Sequence, residues 1–331
     1  MSVKTADKSG DTAMNNAVLR KTPMISLVVP CFNEESAIKL LYEETLNVLE
    51  KGEGITDLEF IFVDDGSKDA TLEELRKYAA LDSRVRYLSF SRNFGKEAAL
   101  FAGLSEAAGD FVVTLDADLQ DPPSLIPDML NTVRSNEYDC AATRRVTRKG
   151  EPLIRSFFAR CFYYLMAKLA DVEVVDGARD FRLMSRVYVD AILALKERNR
   201  FSKGIFPWIG FKTKWFEYEN RERSAGETKW SFWKLVIYAF NGIIAFSSKP
   251  LAIASVFGIL IFLASLILIA IIVIRKATGH VVNVDGWAST TCIILLTSGI
   301  QLFSVGVLGQ YIAKTYTEVK HRPHYIIREA S

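Results

Sequence analysis

The stretch that decides the fold is Gly109-Asp-Phe-Val-Val-Thr-Leu-Asp-Ala-Asp-Leu-Gln-Asp-Pro-Pro123. Its apolar, β-branched run from Phe111 to Leu115 predicts a short buried strand. Asp116 and Asp118 follow, and in an extended chain residues i and i+2 point to the same side, so their carboxylates should converge. Two carboxylates at the end of a strand suit a hard divalent cation, Mg²⁺ or Mn²⁺. A polar strand end with a solvated turn is the alternative interpretation of this pair.

Three strand-like segments precede this one, and helical segments lie between them. Strands are predicted at residues 25–30, 58–63 and 85–90, the first ending at Pro30 because proline cannot donate a ladder hydrogen bond. Strands that alternate with helices predict an α/β fold with a doubly wound, mostly parallel sheet. Ligands bind such sheets at the carboxyl ends of the strands. The polar clusters of the sequence are expected there: Asn33/Glu34, Asp64/Asp65, Arg92/Lys96 and Asp116/Asp118.

Two common nucleotide-binding motifs are missing from the sequence. No Gly-x-Gly-x-x-Gly follows the first strand, which argues against a dinucleotide enzyme, and no Walker-type Gly-Lys-Ser/Thr loop occurs. A nucleotide would therefore be held largely by side chains and a metal ion. The alternative for Asp64 and Asp65 is that they only cap a turn.

Charge is distributed unevenly, although the net charge of the 331 residues is only +2. Residues 24–139 carry 10 basic and 23 acidic side chains, whereas residues 140–249 carry 21 basic and 11 acidic ones. The acidic part suits metal binding, and the basic part suits phosphates and an anionic membrane surface. Nucleic acid is not expected as a partner, because no finger or aromatic-interleaved basic motif occurs. The cysteines lack metal-site spacing and are expected to stay reduced.

Two uncharged segments near the C-terminus predict membrane-spanning helices. Residues 250–274 would extend over roughly 37 Å as a helix, enough to cross a hydrocarbon core of about 30 Å. Residues 288–313 form the second span, and their glutamines and small residues favour helix–helix contact and a homo-oligomer. Residues 152–170 and 230–249 are aromatic-rich and basic, which predicts amphipathic helices in the membrane interface. Packing of these helices on the catalytic domain is the alternative.

The spans set the expected domain boundaries. Residues 1–23 are predicted to be a disordered tail without a signal peptide, and residues 24–229 to be the catalytic domain. Residues 314–331 should form a cytoplasmic tail. Basic residues in this tail and in residues 196–234 favour the cytoplasm by the positive-inside rule, although two basic residues between the spans oppose it. We therefore expect a multi-pass protein of the cytoplasmic membrane whose catalytic domain faces the cytoplasm.

Six motifs, in order along the chain, resemble the family-2 glycosyltransferases with the GT-A fold. They are Val28-Val-Pro-Cys-Phe-Asn-Glu-Glu35, Val63-Asp-Asp-Gly-Ser67, Phe90-Ser-Arg-Asn-Phe-Gly-Lys-Glu97, Leu115-Asp-Ala-Asp-Leu-Gln-Asp-Pro-Pro123, Asp180-Phe-Arg-Leu-Met184 and Arg223-x-x-Gly-x-Thr-Lys-Trp230. The last two look like those of polyprenyl-phosphate glycosyltransferases, which include dolichyl-phosphate mannose synthases and bacterial bactoprenol glucosyltransferases. The bacterial branch, with its two C-terminal membrane helices, is the most similar.

The resemblance implies inverting, metal-dependent transfer of a hexose, glucose above others, from a UDP-sugar to undecaprenyl phosphate. Mg²⁺ or Mn²⁺ would act as a Lewis acid on the departing UDP, held by Asp116, Asp118 and Gln120. Asp180 would serve, together with the two metal-binding aspartates, as a catalytic residue, either as a base or as an orienting group. The resemblance assigns the nucleotide-sugar site, with Asp64 reading the uracil ring, to Pro30, Asn33, Glu34, Asp64, Asp65, Lys96, Arg223 and Lys229.

The acceptor phosphate is already anionic near neutral pH, so it needs positioning and charge neutralisation more than a base. Guanidinium groups bind phosphate oxygens bidentately, and related enzymes keep such arginines downstream of the Asp-x-Asp. The resemblance assigns this role to Arg144, Arg155, Arg160 and Arg182. Arg145 and Arg148 compete for the same register, and a solvated or lipid-facing role is the alternative for each arginine.

Other functions stay open at the level of sequence. The sugar could be GlcNAc, mannose or a modified aminoarabinose, because sugar choice depends on a few pocket contacts that leave no motif. A processive polysaccharide synthase is disfavoured, since the chain has no Gln-x-x-Arg-Trp. A non-catalytic carrier of a lipid-linked sugar is disfavoured because both aspartates of the Asp-x-Asp, Asp64 and Lys229 are present.

Overall fold

The computed structural model describes residues 23–51, 57–145, 175, 177–218, 244, 247, 249–278 and 286–331. These residues belong to two compact units. The sheet unit contains the described residues up to 218 together with residues 323–331, and the helical unit contains the described residues from 244 to 322. Among the described residues, those of the helical unit therefore come between residue 218 and residue 323 of the sheet unit.

An eight-stranded sheet forms the centre of the sheet unit, with strand order β7-β5-β6-β4-β1-β2-β3-β8. Strands β1 to β4 pair in parallel, as do β5 and β7, whereas β6 and β8 run antiparallel to their neighbours. The mostly parallel α/β sheet predicted from the sequence is confirmed. The strands are β1 (Met24–Cys31), β2 (Asp57–Asp64), β3 (Val85–Phe90), β4 (Phe111–Thr114), β5 (Cys140–Arg145), β6 (Ala178–Ser185), β7 (Thr213–Tyr218) and β8 (Ile327–Ala330).

Helices connect the strands and pack against the sheet. The first three follow β1, β2 and β3, so the polar loops that precede these helices lie at the carboxyl ends of parallel strands. The third packs closely on β1, since a Cβ added at Gly103 would lie 2.3 Å from Val28 Cγ1. The helices are α1 (Glu35–Lys51), α2 (Thr71–Leu81), α3 (Lys96–Glu106), α4 (Ile126–Arg134), α5 (Arg186–Ala194) and α6 (Ser202–Trp208).

Strand β1 continues one residue beyond Pro30, where the sequence predicted its end. Its pairing with β4 stops at Val28, opposite Thr114, whereas its pairing with β2 continues to Cys31. The Val28 carbonyl accepts from Leu115 on the β4 side, so the N–H that Pro30 lacks would point to that side as well. The proline therefore costs this central strand no ladder hydrogen bond.

The C-terminal residues add an edge strand to the sheet, which the sequence analysis did not predict. Strand β8 pairs with β3, and Tyr325 stacks on Phe90 with ring centroids 5.0 Å apart. Arg76 on α2 donates two hydrogen bonds, of 2.8 and 2.6 Å, to the Glu329 carboxylate. Burial of a ring and this paired charge attach the end of the chain to the sheet unit.

The helical unit contains two long apolar helices, α7 (Lys249–Ala277) and α8 (Trp287–Val319). Both are long and apolar enough to cross a membrane, and they expose many large apolar side chains. They include the two spans predicted from the sequence. A Cβ added at Gly299, Gly306 or Gly309 would meet no heavy atom within 4 Å; the homo-oligomer stays a prediction. Almost all of the predicted interfacial helices lies outside the described residues.

Candidate functional site

Lys96 joins two of the predicted catalytic aspartates at the carboxyl end of the sheet. Its Nζ lies 2.6 Å from Asp116 Oδ1 and 2.5 Å from Asp180 Oδ2. Asp116 follows β4, Asp180 lies on the neighbouring β6, and Lys96 is the first residue of α3. Thr114 holds this part of β6 in place by donating a hydrogen bond to the Asp180 carbonyl.

The electrostatics of this cluster keep Lys96 and Asp180 charged. Burial alone would raise the pKa of Asp180, but the Lys96 ammonium, with Lys203 and Arg182 nearby, holds that pKa well below its usual range. Burial alone would likewise lower the pKa of Lys96, yet Asp116 and Asp180 raise it. A carboxylate with so low a pKa is a weak base. Of the two roles predicted for Asp180, the geometry favours the orienting one.

Asp118 and Gln120 continue the loop after β4. The strand ends at Thr114, but the alternation continues, because Asp116, Asp118 and Gln120 are partly exposed while the residues between them are buried. The Gln120 backbone amide donates to Asp118 Oδ1 over 3.2 Å. The Gln120 side-chain oxygen accepts from Arg179 Nη2 over 3.0 Å. The three partly exposed side chains of this loop therefore all carry oxygen atoms that a cation could use.

This donor set fits a Mg²⁺ or Mn²⁺ ion. Within the described ranges, no group of three or more His, Cys, Asp and Glu side chains is arranged as a complete metal site. Magnesium, however, often binds to one or two carboxylates and completes its shell with water and substrate phosphates. Asp116 already stabilises one cation, the Lys96 ammonium, at 2.6 Å. The carboxylates of Asp116 and Asp118 thus have the ligand chemistry that such an ion needs. The Gln120 side-chain oxygen is the third candidate ligand, and it also accepts a hydrogen bond from Arg179.

Asp64 and Asp65 hold loops together at the ends of β2 and β3. The Asp64 carboxylate, which is 1% exposed, accepts from the Ser67 amide over 2.9 Å and from Ser89 Oγ over 2.8 Å. Asp65 accepts from the amides of Phe94 and Gly95. These hydrogen bonds from backbone amides are the turn-capping contacts that the alternative interpretation of Asp64 and Asp65 predicted. Reading of a uracil ring by Asp64 stays a prediction, and the unused lone pairs of the carboxylate would be needed for it.

The loop after β1 is joined to the loop after β2 by side chains. The side-chain oxygen of Asn33 accepts from the Lys68 backbone amide over 2.8 Å, and the Asn33 backbone amide donates to Ser67 Oγ over 2.9 Å. The Glu34 amide donates to Thr71 Oγ1 over 2.9 Å. Four of the predicted nucleotide-site residues, Asn33 and Glu34 with Asp64 and Asp65, are thereby brought to adjacent strand ends, next to Pro30 in β1.

The predicted acceptor arginines do not form one cluster among the described residues. Arg182 is only 3% exposed, and its guanidinium lies 4.1 Å from the Phe206 ring centroid and 5.3 Å from that of Trp215. Enclosed in this way it cannot reach a lipid phosphate, so we leave it out of the acceptor site that we propose. Arg144 is half-exposed and ion-paired with Glu217. The remaining predicted site residues lie outside the described residues: Arg155, Arg160, Arg223 and Lys229.

A buried cluster that the sequence analysis missed supports the loop after β4. Asp121 is 0% exposed and accepts hydrogen bonds from Arg179 Nε, over 3.1 Å, and from the Tyr218 hydroxyl. Burial raises the pKa of Asp121, and the charge of Arg179 opposes that rise. The cluster connects the loop after β4 to β6 and β7. Asp121 belongs to the Asp-Pro-Pro that ends the quoted stretch, but its partners are too distant in sequence for any spacing to reveal them.

Gly66 allows two loops of the site to approach each other. Its φ is +70°, and an added Cβ would lie 2.5 Å from the Arg92 carbonyl carbon. Gly66→Ala should lower the thermal-unfolding midpoint: the left-handed conformation costs about 1–2 kcal/mol and the clash about 1–3 kcal/mol more. The matched control is Gly210→Ala, where φ is +74° but no heavy atom lies within 4 Å. Equal losses in the two variants would contradict the close approach.

Comparison with known proteins identifies the family of the chain. Residues 26–193 match the family model for glycosyl transferase family 2. A prophage bactoprenol glucosyl transferase homolog of Escherichia coli K12 is 42% identical, over 92% of this chain and 98% of that protein. The bactoprenol glucosyl transferase of Shigella phage SfII is 41% identical over the same shares.

Among solved structures, glucosyl-3-phosphoglycerate synthase from Mycobacterium tuberculosis, in complex with Mn²⁺, UDP-glucose and phosphoglyceric acid, is similar over 73% of this chain and 83% of that one. The TM-score is 0.45 and the sequence identity is 20%. The family model covers half of the chain, and the two relatives above align with nearly all of it. The chain therefore belongs to glycosyltransferase family 2 and is a glycosyltransferase.

Proposed function

We propose that the protein transfers glucose from UDP-glucose to a polyprenyl phosphate, such as undecaprenyl phosphate, at the cytoplasmic membrane. The observation that carries this proposal is the 41–42% identity, over 92% of the chain, to proteins named for bactoprenol glucosyl transfer. The two apolar helices of the helical unit suit a lipid-linked acceptor.

The donor would bind at the carboxyl ends of β1, β2 and β4. We assign the nucleotide to the joined loops that carry Asn33 and Asp64, and the diphosphate to Arg223 and Lys229 on the sequence resemblance. Asp116 and Asp118, with the Gln120 oxygen, would hold Mg²⁺ or Mn²⁺. Such a cation, when bound, would neutralise charge on the departing nucleoside diphosphate.

Transfer needs little proton chemistry from the protein. An oxygen of the acceptor phosphate, already anionic near neutral pH, forms a bond to the anomeric carbon while the bond from that carbon to UDP breaks. One displacement from the opposite side inverts the configuration, and no proton has to be removed. Asp180 would orient Lys96, and the Lys96 ammonium would counter negative charge where donor and acceptor phosphates meet.

The proposed topology places both ends of the membrane pair on the cytoplasmic side. The chain leaves the sheet unit before α7 and belongs to it again after α8, so two crossings leave both connections on the same side. Basic side chains in segment 196–234 and in the C-terminal tail favour the cytoplasmic side for these connections. Arg155 and Arg160, in the predicted interfacial helix, and the half-exposed Arg144 are our acceptor-phosphate residues.

A donor panel tests this function directly. Detergent-solubilised protein should move label from UDP-glucose into undecaprenyl phosphate, and EDTA should stop the transfer because the diphosphate would lose its cation. UDP-GlcNAc and other labelled UDP-sugars serve as matched donors, and re-addition of Mn²⁺ or Mg²⁺ should restore the activity. Transfer of a different sugar would correct the donor. Failure of every donor with folded protein, together with no UDP binding in Mn²⁺, would contradict the enzyme proposal.

A further inference from the structure

A pocket of about 220 Å³ lies in the sheet unit. The loop between β3 and α3, the segment after α5 and the C-terminal segment before β8 all contribute to its wall. Its charged lining consists of Arg92, Arg198 and Arg200, with His324 and one carboxylate, Glu97. Glu97 directly follows Lys96 in α3, so the pocket and the Lys96 cluster share this helix. We call it the arginine pocket.

Neighbouring aromatic rings hold two of its guanidinium groups. Arg92 lies 4.6 Å from the Phe94 ring centroid, and Arg200 lies 4.5 Å from the Phe101 ring centroid. The His324 ring also packs against the Phe101 ring, and the two ring centroids are 4.7 Å apart. Stacking fixes the plane of a guanidinium while its N–H donors stay directed outward from the ring. Two arginines are therefore held in defined positions before any ligand binds.

The remaining groups of the pocket are consistent with an anionic ligand. Arg198 anchors the C-terminal segment by donating to the Pro323 carbonyl over 2.6 Å. Glu97 is turned towards Ser202, whose amide and hydroxyl both donate to its carboxylate. Arg92 is exposed and makes no ion pair with any described carboxylate. Arg200 donates to the carbonyls of Leu195 and Ile192, which holds it in place as well. Three guanidinium groups thus face one lining carboxylate that already has its own donors, and the exposed Arg92 is the one that we test.

We propose that the arginine pocket binds a phosphate-bearing anion, at a site separate from the donor and acceptor residues assigned above. Planar guanidinium groups match phosphate oxygens in bidentate geometry, and several such groups around one pocket favour a doubly charged anion over chloride. His324 stands five positions after Val319, the last residue of α8. A phosphate on a lipid is therefore one source to test, and free phosphate is the other.

The site is tested on the full chain in detergent, without nucleotide and with EDTA present. Inorganic phosphate is titrated at constant ionic strength, with sodium chloride as the balancing salt, and the thermal-unfolding midpoint reports binding. Wild-type protein should be stabilised by phosphate beyond chloride. Arg92→Gln should weaken the apparent affinity about tenfold or more, the loss expected when a charge-assisted hydrogen bond is removed. Arg92→Lys keeps the positive charge and loses the planar guanidinium, so its apparent phosphate affinity should lie between those of the wild type and Arg92→Gln.

Two further variants make the result specific. Arg134→Gln removes the same charge from an exposed position on α4 and should leave phosphate affinity unchanged. Asp118→Asn, in the proposed metal site, should also keep wild-type phosphate affinity, so failure of the proposed glucosyl transfer would not be mistaken for failure of this site. Equal phosphate affinity in Arg92→Gln and Arg134→Gln, or no stabilisation beyond chloride, would overturn the proposal.

Nanodiscs distinguish the two sources of phosphate. The same titration is run in phosphatidylcholine discs that contain either phosphatidic acid, a phosphomonoester lipid, or phosphatidylglycerol as the anionic control. If a lipid phosphate occupies the pocket, phosphatidic acid should weaken inorganic phosphate binding several-fold in wild type and not in Arg92→Gln. Unchanged binding in wild type assigns the pocket to free phosphate. Both results keep the site and identify its ligand.

Discussion

Replacing Asp118 by asparagine should lower turnover about a hundredfold to a thousandfold, the scale seen when one group that stabilises developing charge is removed. Asp118 is partly exposed, and its carboxylate accepts a hydrogen bond from the Gln120 backbone amide over 3.2 Å. Asparagine can keep that bond, because its side-chain oxygen also accepts. The variant should therefore fold normally and lose the negative charge that a divalent cation needs.

The measurement is the rate of sugar transfer to undecaprenyl phosphate, with Asp128→Asn as the control. Asp128 is an exposed residue of α4, so its substitution makes the same chemical change away from the site. Asp118→Asn should also require a higher Mn²⁺ concentration for half-maximal residual activity. Full activity of this variant would remove Asp118 from the metal site, and a carrier without catalysis would be indifferent to the change.

Replacing Lys96 by methionine should lower turnover by about a hundredfold or more, because it removes a positioned charge at the centre of the site. The ammonium lies within 2.6 Å of both Asp116 and Asp180, so its loss leaves two carboxylates facing each other without a shared cation. The turnover number should fall more than the KM for the donor rises. The control is Lys39→Met, since Lys39 is an exposed lysine of α1 whose ion pair with Glu43 spans 3.9 Å.

The same variant should change the response of stability to acid. In the wild type, Lys96 holds the pKa of Asp180 below its usual range, so the ionised carboxylate stabilises the fold above its unfolded pKa of about 3.9. That stabilisation is lost as the pH falls towards the lower folded pKa. Lys96→Met should lack this acid-dependent loss. Identical profiles of unfolding midpoint against pH, in wild type and variant, would contradict the charge pairing.

Much of the architecture could be predicted from the sequence because it depends on local patterns. The alternation of apolar strands and amphipathic helices predicted the parallel sheet, and the length of two uncharged runs predicted α7 and α8. Parallel strands present their carboxyl ends at one edge, so Asn33, Asp64, Lys96 and Asp116 could be expected near one another. That Asp116 and Asp118 point to the same side stays a prediction from the two-residue period of an extended chain.

The pairing of specific side chains could not be predicted in this way. Lys96 meets Asp116, 20 positions away, and Asp180, 84 positions away, only because β6 inserts beside β4 in the sheet. The same insertion encloses Arg182 between two aromatic rings, although its motif had indicated an acceptor ligand. Contacts between residues so far apart in sequence cannot be predicted from motif spacing, because they depend on strand order and register.

The chain by itself therefore determined the class of fold, the edge of the sheet that carries the site and the helices suited to a membrane. These properties follow from the periodicity and length of apolar segments, which are local. Only the tertiary structure decided that Asp180 is paired with a lysine, that Asp121 is buried where the loop after β4 meets β6 and β7, and that the last residues complete the sheet and one wall of the arginine pocket. Those outcomes depend on long-range packing, where burial and charge pairing select one arrangement among many that the same local patterns permit.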